Sequence, residues 1–329
     1  MRLGGKHRMS KDDTLRIVLA LSSLRGIGPA TMKKSLGKIR AAMSEPDIFQ
    51  ALAPVIGKKA GEAEWVAGLG EADRVMARCE EVGIVALSML DPAYPARLLE
   101  MRKPPAVLYC RGRAELLERP TLGVIGTRKP TRIGEVAAAR IGAHFSSHGV
   151  SICNGLADGI DICSMKPEGE IVPGAVAVMA AGLDLIEEKL APERIVTRAT
   201  RVLEAGGLLV TDAAPGARED QYAVIASCGL QAGLSHALLL VQSPVDGGSR
   251  FTVAEACDQP RVIAYLVPPT AEASDPVFGA NALLATGPDG LQKFAQVKSA
   301  KGPTLVPINS RADYASILRL LEPSATSLV

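Results

Sequence analysis

The chain has 329 residues, with 37 Lys+Arg set against 35 Asp+Glu for a formal charge of +2. That near-balance excludes a globally basic nucleic-acid binder, so any surface for a polyanion has to be local. Hydrophobic residues make up 47% and aromatics only 3%, so the core is aliphatic, as in a buried parallel sheet covered by helices, and the length fits two domains or one large domain with additions.

The first residues, MRLGGKHRMSKDD, carry charge but no apolar core of a signal sequence. No apolar run approaches the roughly 18 residues of a membrane span. The expectation is a soluble, cytoplasmic protein with no membrane partner. DDTLRIVLALSSL then reads as a helix with an acidic start. RGIGPATMKKSL follows: Gly26 and Gly28 permit a tight turn, Pro29 opens a second helix, and Lys33 and Lys34 lie on it. This resembles a helix-hairpin-helix element, in which turn amides approach a DNA phosphate; Gly26, Gly28, Lys33 and Lys34 are a candidate secondary DNA contact. The plain alternative is a helical hairpin in a small packed domain. The expected boundaries are a helical domain over 1–62, then a helical linker and lead-in segment over 63–105 that includes the proline-rich stretch DPAYP and Pro104-Pro105.

From there strands and helices alternate. Strands are expected at 106–110, 122–126, 149–153, 175–180, 207–211, 237–242 and 261–267, with helices such as 133–149 and 191–207 between them. The alternation predicts an α/β fold, a doubly wound and mostly parallel sheet over 106–292 with the small helical domain before it. A tail over 293–329 adds a strand near 304–307 and a helix near 311–321.

Six cysteines, Cys79, Cys110, Cys153, Cys163, Cys228 and Cys257, form no C-x-x-C pair and read as buried free thiols of a reducing compartment. His144 and His148 stand at i, i+4 without H-E-x-x-H, so neither a metal nor a cofactor is expected.

Ligands of doubly wound sheets collect at the C-terminal strand ends, and three loops there stand out. In VIGTRKPTRIGE, Gly126 allows backbone to approach a ligand. Thr127 offers a hydroxyl, and Arg128 and Lys129 offer charge. The loop is neither G-x-G-x-x-G nor a G-K-[ST] loop, which argues against dinucleotide binding and ATP hydrolysis. In NGLADGID, Asn154, Gly155 and Gly159 are expected to leave amides open to an anion, with Asp161 capping the next helix or orienting Arg128. In SPVDGGSRFTVAEA, Gly248, Ser249 and Thr252 present amides and hydroxyls to the same crevice. Each loop has a plain reading as a packing turn. No residue in them suggests a catalytic group.

Taken in order, these segments resemble the DNA-processing protein A family (DprA, also called Smf). The likeness covers roughly residues 86–282. It rests on LDPAYPARLLEMRKPPAVLYCRG, GVIGTRKPT, NGLADGID, AVAVMAAGLD, DAAPG, AGLSHALLLVQS and GGSRFTVAEACDQPRVIAYLVP. The resemblance implies a non-catalytic Rossmann-like protein that binds single-stranded DNA, loads a RecA-type recombinase during recombination and natural transformation, and pairs as a homodimer. Carried over to this sequence, the resemblance implies binding loops at Gly126 to Arg128, at Asn154, Gly155, Leu156 and Ala157, and at Gly248, Ser249 and Thr252, and Gly26 to Lys34 fits the family's N-terminal extension. Three departures stand out. Ser227, Cys228 and Gly229 replace the family's R-N-R, Met165 replaces a histidine, and Asn154 replaces a serine. Loss of two guanidinium groups predicts weaker DNA binding. The rival reading is a Rossmann-like module for a nucleotide or nucleotide-derived signal, akin to the lysine-decarboxylase-like phosphoribohydrolases. The spacing of DGGSRFTVAEA disfavours hydrolase activity of that kind.

Overall fold

A computed structural model describes residues 10–28, 31–32, 61–300 and 302–321. Lys33 and Lys34 of the hairpin-like element lie outside the described residues. Helix α1 (Lys11–Ser23) starts at a reciprocal cap: the Ser10 hydroxyl accepts from the Asp13 amide at 3.0 Å, and the Asp13 carboxylate accepts from the Ser10 amide at 3.1 Å. Gly26 then takes the left-handed backbone (φ +86°) that turns the chain. Helix α1 packs against α2 (Glu62–Glu81), burying Val18 and Leu21 with Trp65, Leu69 and Ala72.

The sheet has nine strands: β1 (Val85–Ser88), β2 (Val107–Gly112), β3 (Thr121–Ile125), β4 (Ser151–Asn154), β5 (Ala175–Val178), β6 (Leu208–Thr211), β7 (Ala237–Leu240), β8 (Val262–Leu266) and β9 (Thr304–Ile308). Their spatial order is β1-β2-β6-β5-β4-β3-β7-β8-β9. The first two pairings, β1 with β2 and β2 with β6, are antiparallel; the other six are parallel. The helices between are α3 (Arg132–Ser147), α4 (Ile160–Met165), α5 (Asp184–Glu187), α6 (Glu193–Glu204), α7 (Gln221–Leu234), α8 (Ser249–Ala256), α9 (Gly279–Ala285), α10 (Pro288–Ala295) and α11 (Tyr314–Leu321).

Strand alternation divides the core between the two faces. Val124, Leu239 and Ala264 join the larger apolar cluster, which runs on into α1 and α2. Ile125, Leu238, Leu240, Ile263 and Tyr265 form a second cluster with α8, α9 and α10. The chain winds outward from β3 through β4, β5 and β6, then restarts beside β3 as β7 and continues through β8 and β9. The direction therefore reverses between β3 and β7, and the crevice at that reversal is where a ligand belongs.

The doubly wound, mostly parallel α/β architecture stands as the alternation predicts, with two differences. Val85–Ser88, read as linker, is an antiparallel edge strand. Thr304–Ile308, read as part of a looser tail, pairs in parallel with β8 as a full member of the sheet. All six cysteines are free; four are buried, while Cys163 and Cys228 are only half-buried. Among the described residues no helix is long and apolar enough to cross a membrane.

Candidate functional site

The loops after β3, β4 and β7 meet at the reversal point and line a crevice of about 970 Å³. Side-chain and backbone hydrogen bonds join the first loop to Gln242, just beyond the end of β7. The Thr127 amide donates to the Gln242 carbonyl at 2.7 Å. The buried Gln242 side chain accepts from the Thr131 amide at 2.9 Å and donates to the Thr131 hydroxyl at 3.0 Å. The second loop docks on the first through Ile160, whose amide donates to the Thr127 carbonyl at 3.2 Å.

Two glycines are required by this docking. A Cβ on Gly126 would stand 2.5 Å from Ile160 and 2.8 Å from the Gln242 carbonyl. Gly159 has φ +78°, and a Cβ there would stand 2.3 Å from the Thr127 carbonyl. The chain itself therefore demands glycine at both places.

The structure brings Gly126, Thr127, Arg128, Lys129, Gly155, Ala157, Asp161, Gly248, Ser249 and Thr252 to the crevice wall. Asn154, Leu156 and Gly159 do not line it. Asn154 is fully buried: its amide nitrogen donates to the Asp161 carbonyl (3.0 Å) and the Ser164 hydroxyl (3.1 Å), and its oxygen accepts from the Leu156 amide (3.1 Å). Leu156 is an apolar plug in left-handed backbone (φ +55°) whose carbonyl accepts from Arg198 at 2.8 Å.

The expectation of open amides in this loop needs correcting. The Asp161 carboxylate accepts from the Gly155 amide at 3.2 Å and the Ala157 amide at 3.3 Å. An anion of the chain's own thus holds the place assigned to a phosphate. Asp161 also does not serve as the cap of α4, which is Gly159, and no hydrogen bond joins it to Arg128. Burial pushes its carboxyl up to about 7, against the two amides and the charges of Arg128 and Arg198, which pull it down.

At the rim Arg128 and Lys129 are exposed and form no ion pair among the described residues. Gly248 is also exposed, and a Cβ on it would meet nothing within 4 Å. On the floor, where the family's R-N-R would stand, Ser227 and Cys228 face the crevice together with Thr252. Gly229 faces away, toward Met101 and Glu255. Further wall comes from Met179 after β5, inside the AVAVMAAGLD segment, and from residues that no sequence motif singled out, Arg194 and Ile195 at the start of α6 and Glu219 to Gln221 at the start of α7. In all, the charged lining residues are Arg128, Lys129, Arg194 and Arg250 against Asp158, Asp161, Glu219 and Asp220. The crevice carries no positive surplus. Among the described residues no group of His, Cys, Asp and Glu could hold a metal ion.

Residues 85–300, about two thirds of the chain, match the family model of the DNA recombination-mediator protein A. Protein Smf of Synechocystis sp. is 32% identical over 170 residues, spanning 50% of this chain and 42% of the relative. The chain spans about half the length of the curated relatives it matches. The X-ray structure of DNA processing protein A from Streptococcus pneumoniae has the same fold, with a TM-score of 0.68 at 18% identity over 94% of this chain and 98% of that one. DNA processing protein A from Helicobacter pylori, described for its single-stranded DNA binding mode, shares the fold with a TM-score of 0.57 at 20% identity over 72% of this chain and 95% of that one.

Proposed function

We propose that this chain, which belongs to the DNA recombination-mediator protein A family, binds single-stranded DNA without catalysis along the rim of the crevice between β3 and β7. The observation that carries the reading is the pair of exposed cations at the fold's reversal point, Arg128 and Lys129, with no ion pair among the described residues. Neutralising phosphates there releases counterions and needs no base readout. The replaced R-N-R and the charge-balanced lining argue for weak binding. The wider role that goes with this reading is DNA processing in recombination and transformation, with a RecA-type recombinase and a second copy of the chain as partners.

The second reading, a module for a nucleotide or nucleotide-derived signal, draws on Ser227, Cys228, Gln231 and Thr252, small polar groups on a floor where guanidinium groups would otherwise stand. A low-salt anisotropy titration with a labelled oligonucleotide, competed by mononucleotides, separates the two. Micromolar binding that mononucleotides fail to displace supports DNA. Mononucleotide binding alone, seen as a thermal shift, replaces it with the nucleotide reading.

A further inference from the structure

Beside the crevice lies a second groove of about 460 Å³, between α4 and α6. Its charged lining is Lys166, Arg194, Arg198 and Arg201 against Glu193 alone, over apolar Ile162 and Ile171. Unlike the crevice, this groove has a clear positive surplus. Arg194 lines both, so the two adjoin.

The cations divide into two kinds. Arg194 and Arg198 are held by Asp158, Arg198 at 2.5 Å, and these ion pairs tie α6 to the loop after β4. Lys166 and Arg201 form no ion pair among the described residues; Arg201 is exposed and Lys166 half-buried. Arg194, Arg198 and Arg201 stand at i, i+4 and i+7 on α6, one helical face spanning ~10 Å along the axis. A row of cations that starts at the mouth of the crevice and runs away from it suits a chain of phosphates more than a single one.

We infer that this groove carries the single strand as it leaves the crevice, with Lys166 and Arg201 contacting backbone phosphates beyond those met by Arg128 and Lys129. The inference rests on the single-stranded DNA reading above. It also gives the chain a source of affinity outside the crevice, where two guanidinium groups have been replaced.

The test is a salt titration of binding by oligothymidylates of increasing length, with the full chain and with the double variant Lys166→Ala, Arg201→Ala. Neither side chain forms an ion pair among the described residues, so the variant should keep the fold, as circular dichroism would check. With long oligonucleotides the variant should lose about 1.4 from the slope of log affinity against log salt, two single-strand phosphate contacts at about 0.7 each. With oligonucleotides just long enough to bind at the crevice it should match the unchanged chain. Equal slopes for variant and unchanged chain on long oligonucleotides overturn the groove while leaving the crevice reading intact. No oligonucleotide binding by the unchanged chain overturns both.

Discussion

At the scale of single residues, the loop after β4 shows how a binding motif can be partly occupied by its own chain. Asp161 holds the Gly155 and Ala157 amides, so a phosphate at the rim meets a nearby carboxylate as well as Arg128. Its carboxyl is pushed up to about 7 from 3.8. Between those values the folded chain binds a proton that the unfolded chain has lost, so this group's contribution to stability falls as pH rises through that window. Oligonucleotide affinity should strengthen as pH drops from 8 to 6 and the carboxyl is neutralised, and Asp161→Asn should remove much of that dependence in a pH series of binding titrations. Asn154 belongs to the fold and not to the ligand. Asn154→Ala leaves the buried Leu156 amide without its acceptor, while the Asp161 carbonyl keeps the Ser164 hydroxyl, and should cost about 1–3 kcal/mol in urea unfolding, with little change in the salt slope of binding.

At the scale of elements, the sequence made the parallel strands legible because each is a short apolar run bounded by loop residues. The edge strand β1 escaped because VALS leads within a few residues into DPAYP, which reads as linker. The site was half legible. Glycines and polar residues at strand ends marked the three loops, yet two of those glycines answer to loop-on-loop docking, a property of distant segments that no local pattern records. The walls from the starts of α6 and α7 carry no motif; only the packing of the sheet brings Arg194 and Glu219 to the crevice. Helix α7 also holds a reserve of stability. Gly229 sits inside it with the nearest atoms 3.8 Å or more from an added Cβ. Gly229→Ala should therefore stabilise the fold by about 0.8–1 kcal/mol, the helix-propensity difference between the two residues, readable as a raised urea midpoint with unchanged cooperativity.

At the scale of the whole molecule, the near-neutral net charge and the balanced crevice leave association to a few local cations. Binding should be weak, salt-sensitive and indifferent to base identity. The measurement that tests this most directly is the salt dependence of single-stranded DNA affinity for the chain and for the double variant Arg128→Ala, Lys129→Ala. If these two side chains are the crevice's phosphate contacts, the variant binds more weakly at every salt concentration and its slope falls by about 1.4. Binding by the variant with the affinity and slope of the unchanged chain would contradict the placement of DNA at the reversal point of the sheet.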